Sequence, residues 1–149
     1  MSRRSVAPLS RRRRRGQALV EFALVAPWFF LVLFGIIEAG RFILYYETLQ
    51  NATREGARYA IVNGERSFTP TGPPDQPGGE DVIATVKAAA FGVLGNGVTV
   101  TPTWGGTPAN NQRGTTVTVH AAYTYSSLVP LVPLPPITVE AESRLVINN

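Results

Sequence analysis

RRRRRGQALVEFALVAPWFFLVLFGII, residues 11–37, is the stretch whose reading decides the fold. Five arginines lead straight into a run from Ala18 to Ile37 that is almost wholly apolar, with Glu21 as its only charge. About 20 apolar residues is the length a helix needs to cross the hydrocarbon core of a bilayer. Residues 17–37 therefore read as a transmembrane helix. Pro27 loosens such a helix without ending it, because neighbouring groups re-satisfy the freed carbonyl. Arginines packed against one end set the orientation by the positive-inside rule, with the N-terminus in the cytoplasm and the chain from residue 38 outside. A removable secretory signal has an apolar core of about 7–15 residues before a small-x-small cleavage site. Here the run is longer and flows into more helix, so an anchor is expected.

Upstream, residues 1–15 are rich in Ser, Pro and Arg and have no apolar period. They read as a disordered cytoplasmic leader that ends at Gly16. This leader also explains the charge. The chain of 149 residues carries a formal +4 and a pI near 10.0, values that suggest a nucleic-acid partner at first sight. Seven of its 14 Lys+Arg residues are Arg3, Arg4 and Arg11 to Arg15. The other seven face all ten acids, so the chain beyond Arg15 is net acidic. Basicity belongs to the leader and not to a nucleic-acid surface. With no cysteine, disulfides and thiolate metal sites are excluded.

Downstream of Ile37 the pattern becomes amphipathic and stays helical to about Val62. Phe42, Tyr45, Leu49, Ala52, Gly56, Tyr59 and Ala60 recur at three- and four-residue steps, and Glu47, Asn51, Arg54, Glu55 and Arg58 take the other side. One continuous helix thus serves both lipid and a folded head, and Asn63-Gly64 stops it. Residues 67–79 form a Pro/Gly loop, and Glu80 to about Val93 reads as a second helix opened by two acids. Three alternating runs follow. Val98, Val100 and Trp104 alternate with Thr99, Thr101 and Thr103. Val117, Val119, Ala121, Tyr123 and Tyr125 oppose Thr116, Thr118, His120 and Thr124. Val139, Ala141, Leu145 and Ile147 oppose Thr138, Glu140, Glu142 and Arg144. Such alternation gives an antiparallel sheet with one dry face, and the amphipathic half-helix is the available cover. The expected class is α+β: a long transmembrane and amphipathic helix on a small antiparallel sheet of about three strands. Residues 38–149 make up the extracytoplasmic head. The loop 128–136 is apolar and broken by prolines, and it is expected to tuck under the sheet or along the helix.

The functional signal begins at the leader. A basic block ends in Gly16, Gln17 follows, and Glu21 stands inside an otherwise apolar helix next to Phe22. This resembles the processing site of type IV pilins and pseudopilins, which a membrane-embedded prepilin peptidase cuts after a glycine, leaving an acid at the fifth mature position. Further on, Gly16 to Leu24 (GQALVEFAL), Pro27, and Asn51 to Arg58 (NATREGAR) together resemble the TadE-like family, the minor pseudopilins of tight-adherence (Flp) pilus systems. The resemblance implies a pilin-like fold, cleavage between Gly16 and Gln17, and assembly roles for Glu21 and Phe22. It also implies prepilin peptidase, other pilins or pseudopilins and pilus assembly proteins as partners, in the cytoplasmic membrane of a bacterium. An unprocessed, membrane-anchored adhesive or binding domain is the alternative.

Some features have plainer readings. An ionisable residue inside a membrane segment is a functional candidate, although Glu21 sits close enough to one end to reach headgroups. Ala52, Gly56 and Ala60 repeat every four residues and permit close backbone approach. The sheet is their expected neighbour, ahead of another helix. Asn51-Ala52-Thr53 matches a glycosylation sequon, which in mid-helix reads as chance. Catalysis is not expected. His120 is the only histidine, no nucleophile motif surrounds Ser126 and Ser127, and no phosphate-binding glycine loop is present. Glu140 and Glu142 share a strand face as ordinary exposed acids. No cofactor, metal or small-molecule substrate is expected.

Overall fold

The computed structural model describes residues 10–73, 79–128 and 135–148, with side chains in the first helix from Gly16 onward. The first helix, α1 (Ser10–Val62), contains Pro27 and takes in both the apolar and the amphipathic segments. It starts earlier than expected. Residues 10–15 are helical where the composition suggested disorder, because arginine is a good helix former and no Gly or Pro intervenes before Gly16. A helix already nucleated in the apolar run then propagates through them at little cost. Residues 1–9 lie outside the described region. The chain divides into two compact units, one up to Ala39 and one from Gly40 to Asn149.

In the second unit, α2 (Glu80–Leu94) is followed by β1 (Val98–Trp104), β2 (Thr116–Tyr125) and β3 (Ile137–Val146). Gly79 before α2 and Gly95 after it both take positive φ, and the Gly95 N–H donates to the Phe91 carbonyl at 3.0 Å. Acids in the first turn of α2 suit its N-terminal dipole. Val82, Val86, Ala90 and Leu94 step by four and form its buried face. The strands make one antiparallel sheet in the order β1-β2-β3, so β2 is central. Thr101 lies opposite His120 and His120 opposite Glu142, one row across the wet face. Pro102 falls in β1, an edge strand, where the missing N–H is tolerated.

Burial follows the alternation. Val98, Trp104, Val117, Val119, Ala121, Tyr125, Val139, Ala141 and Ile147 are buried, and the threonines and acids between them stay wetter. The cover is α1: Leu49, Ala52, Ala57 and Ala60 are fully or almost fully buried in the same core, with Phe42, Tyr45, Tyr59 and Ile61 packed against it. Phe42 meets Tyr125 edge-on, and Tyr45 meets both Tyr123 and Tyr125.

After Val62 the chain turns on Asn63. Its Nδ2 donates to the Tyr59 carbonyl, and its Oδ1 accepts from the Ser67 and Thr69 hydroxyls at 3.1 Å each. The loop is then tied to the β1–β2 connection, since Glu65 N–H donates to the Asn111 carbonyl and Asn111 Nδ2 to the Thr71 carbonyl. Gly72 and Gly79 press on the Trp104 indole with positive φ, leaving no room for a Cβ at either position. Residues 129–134, most of the apolar proline loop, lie outside the described region, and the expectation that this loop tucks against the sheet falls there.

Because α1 supplies one wall of the core, the head depends on it. A chain starting at residue 38 is expected to be soluble and to unfold cooperatively. A chain starting at Asn63 exposes the dry face and is expected to aggregate. Size-exclusion chromatography and thermal melts of both check this, and a well-folded monomer from Asn63 onward would show that α1 does not close the core.

Candidate functional site

α1 places the singled-out residues at two levels. In its first part, Gly16, Gln17, Val20, Glu21 and Leu24 lie along one face, as steps of one, four, five and eight residues require. That face is exposed, and so is Phe22 beside it. The large apolar side chains from Leu19 to Ile37 are exposed all round the helix, with Trp28 at 72%. Soluble monomers rarely show contiguous apolar patches larger than a few hundred Å². α1 includes a segment long and apolar enough to cross a membrane, with none of its apolar window buried. Lipid or neighbouring helices are the environments that suit it.

Gly16 is open on all sides: a Cβ there meets nothing within 4 Å. Packing therefore does not require glycine at this position, nor does an exposed helix favour it. Gly35 and Gly40 are equally open.

Gly56 is the opposite case. A Cβ there would run into Val86 Cγ2 of α2 and approach Val82. The Ala52–Gly56–Ala60 stripe is buried at all three positions, but at Gly56 the neighbour is α2 and not the sheet. At Gly56 the close approach is thus used between two helices of the head. The neighbour there is a helix where the sheet was expected, because α2 also needs cover for its valine, alanine and leucine side chains.

Sequence reasoning did not find the cluster at the start of the head. Arg41 Nη2 donates to the Tyr45 hydroxyl at 3.2 Å, and its guanidinium lies 5.5 Å from the Tyr45 ring centre and 5.6 Å from that of Tyr125. Cation–π contacts of this kind contribute about 0.5–2 kcal/mol. The Arg41-to-Tyr45 spacing of four residues was legible, whereas Tyr125 joins only through the fold. Arg and Tyr concentrate where apolar helices leave lipid, since each carries an apolar body and a polar end. On the wet face His120 Nε2 lies 3.7 Å from Glu140 Oε2, an exposed pair of small energetic weight. Among the described residues no three His, Cys, Asp or Glu side chains gather as a metal site would need.

An apolar helical segment that continues along α1 into the cover of a small α+β head is consistent with single-pass membrane anchoring. The family model described as TadE-like protein matches residues 16–58, the family that the leader and helix motifs resemble. The match covers α1 from Gly16 to Arg58 and leaves α2 and the sheet outside it. No curated protein and no solved structure matches the chain.

The two glycines are expected to respond oppositely to alanine. Gly56→Ala forces α1 and α2 apart or displaces a stiff valine, a change of the overpacking kind that costs about 1–3 kcal/mol, set against the roughly 1 kcal/mol that alanine gains in a helix. Gly16→Ala meets no obstacle and leaves the head's melting temperature unchanged. Thermal melts of the two variants decide it, and an unchanged midpoint for Gly56→Ala would mean that α2 shifts freely on α1.

Proposed function

We propose that this chain is a single-pass pseudopilin-type protein that assembles or primes a tight-adherence pilus, with its N-terminus in the cytoplasm and its head outside. The observation that carries the reading is the TadE-like match over 16–58, which coincides with the exposed apolar half of α1 and runs on into its buried half. In this reading the chain is the substrate of a prepilin peptidase and not itself an enzyme. Its work is association through α1, and its partners are lipid, the peptidase, and other pilins or assembly proteins.

The open setting of Gly16 supports a recognition role, because neither packing nor helix propensity calls for glycine there. A second reading has one observation in its favour. α1 is already helical at Ser10, so the Gly16–Gln17 bond lies inside a helix and must unwind before it can be cut. A chain that keeps its leader as an anchor and uses the head for adhesion or binding fits that observation without a cleavage step.

Cleavage frees an α-amine on Gln17, with a typical pKa of about 7.7–8.0, largely protonated at pH 7. An unpaired carboxylate in lipid is costly, about 2.5–3.5 kcal/mol for Asp at a helix centre on insertion scales and less near the interface. Pairing Glu21 with the amine of a neighbouring subunit offsets that cost and makes Glu21 an assembly residue. Pairing with the chain's own amine, one turn away, does not.

Two outcomes are expected. Intact mass of the membrane-extracted protein from its native host shows loss of the residues through Gly16, and Gly16→Ala abolishes that loss. A chain still carrying its leader there would favour the second reading. Glu21→Gln leaves cleavage and insertion intact but lowers co-purification of tagged with untagged copies, or with the major pilin, while Glu21→Asp is partly tolerated. Equal recovery from wild type and Glu21→Gln, with normal processing in both, would make Glu21 a bystander at the membrane surface.

A further inference from the structure

The two ends of the head differ in chemistry. The strands run antiparallel, so one end of the sheet holds the start of β1, the last residue of β2 and the first residue of β3, with Tyr125 opposite Ile137. The part of α1 that belongs to the head begins here, since Phe42 meets the Tyr125 ring edge-on at 5.5 Å. Apolar side chains next along the chain stay exposed, Leu128 at 71% and Ile137 at 40%. At the opposite end the connection from Gly105 to Thr115 carries Asn110, Asn111, Gln112 and Arg113 and no large apolar side chain. The second end suits water, and the first suits a surface that is partly apolar.

Helix geometry says which surface that is. The apolar run from Ala18 to Ile37 matches a hydrocarbon core of about 30 Å. Arg41 follows Ile37 by four residues of continuous α1, about 6 Å along the axis, and any tilt of the helix only lowers it toward the hydrocarbon. A bilayer measures about 40–45 Å with its headgroups, so each headgroup layer is about 5–8 Å deep. Arg41 therefore stands in that layer, where every phospholipid carries a phosphate.

The side chain is set up for such an anion. A guanidinium pairs bidentately with phosphate oxygens and is weakly hydrated, which suits the edge of a bilayer. Its five N–H donors are not exhausted by the 3.2 Å bond from Nη2 to the Tyr45 hydroxyl, and that hydroxyl has its own O–H to donate to the same anion. The Tyr45 and Tyr125 rings, 5.5 and 5.6 Å from the guanidinium carbon, hold its plane in place, so binding costs less side-chain freedom. A carboxylate of another chain has the same chemistry, but at this depth it competes with a phosphate on every lipid molecule.

We propose that Arg41 and Tyr45, seated on the Tyr125 ring, form a binding site for the phosphate of a bilayer phospholipid. The site ties the head to the membrane surface at a point beyond the span. It rests on the membrane reading above, and it holds for either orientation because both leaflets carry phosphate.

The test melts the full chain in nanodiscs of phosphatidylcholine and of digalactosyl-diacylglycerol with the same acyl chains. Both lipids are neutral, and only the first contains phosphate. Trp28→Phe leaves Trp104 as the only tryptophan, so its fluorescence reports the head. A ligand that binds only the folded head stabilises it, and the head is expected to melt about 4 °C higher in phosphatidylcholine. Arg41→Gln lowers both melting temperatures through the lost ring contacts and is expected to erase the difference between the bilayers. A purely structural arginine would lower both and leave the difference standing. Arg41→Lys keeps the charge without the fork and is expected to retain part of the difference. Glu38→Gln removes the one acid within a turn of Arg41 and is expected to keep it in full. Should Arg41→Gln fail to fold, Tyr45→Phe keeps the ring, removes the hydroxyl and is expected to shrink the difference. Equal melting of the wild type in the two bilayers, or a difference that survives Arg41→Gln, would overturn the proposal. So would recovery of the difference by millimolar inorganic phosphate added to the galactolipid discs, because the site would then take free phosphate and not a lipid. Release of the chain from membranes by alkaline wash would refute the membrane reading separately, whatever the melts show.

Discussion

A three-stranded sheet with one dry face is not stable in water without cover, and here the cover comes from the same helix whose first half is too apolar to stand in water itself. That double duty of α1 shapes the rest. Its head half must be apolar on one side only, so Glu47, Asn51, Arg54, Glu55 and Arg58 alternate with Leu49, Ala52, Ala57 and Ala60. Its lipid half must be apolar on every side, so the periodicity vanishes below Glu38. The change from one regime to the other falls within a few residues, at Glu38 and Arg41, where Arg41 lies against Tyr45 and Tyr125. Few other side chains combine charge with a flat apolar surface well enough to stand at such a boundary.

A single helix cannot cover the whole dry face of a sheet, which accounts for α2 and the loops. α2 brings Val82 and Val86 against Gly56, and the absence of a side chain there lets two helices share the space over one small sheet. At the far end the cover is a loop: Gly72 and Gly79 close on Trp104, and Asn63 and Asn111 bind the turns around it. The polar ties of this loop are mostly local, of a kind contributing about 1 kcal/mol each. The indole beneath them is itself buried.

Much of this was legible in the sequence because the dominant constraints are periodic. Alternation in residues 98–104, 116–125 and 138–147 gave the three strands and their buried faces, since a slip of one residue would turn every valine to water. The apolar run and the three-and-four spacing after Glu38 gave α1, and a helical pattern opened by two acids gave α2. What could not be read were choices between partners. Ala52, Gly56 and Ala60 announce close approach but not what approaches, and the strand pattern pointed to the sheet where Gly56 meets α2. Tyr125 reaches Arg41 only because β2 ends beside the start of the head. The arginine block looked unstructured because composition ignores a neighbour: the same residues without an apolar helix attached would have no nucleus to extend. For Gly16, Gln17 and Glu21 the motif was clear from the residues, and the fold adds that their face is open.

The family match stops at Arg58, close to the end of α1, and the division of constraints gives a reason. Residues of the apolar half have to keep a long run apolar on every side, which leaves few acceptable sequences. The strands need only alternate, and apolar cores of similar volume and pattern substitute for one another at modest cost. A head can therefore drift in sequence while its anchor holds a recognisable signature. The exceptions within the head are positions whose chemistry is not interchangeable: Gly56, where a Cβ collides; Gly72 and Gly79, where the backbone turns against an indole; and Pro102, where a missing donor closes one edge of the sheet. The opposite edge strand has no proline, is as long as β2 and carries three charges in a row on its wet face. Edge strands with open ladders invite pairing with other chains, and native sheets usually blunt them. Among the described residues the two edge strands thus differ, one carrying a proline and the other none, a difference that periodicity alone does not produce.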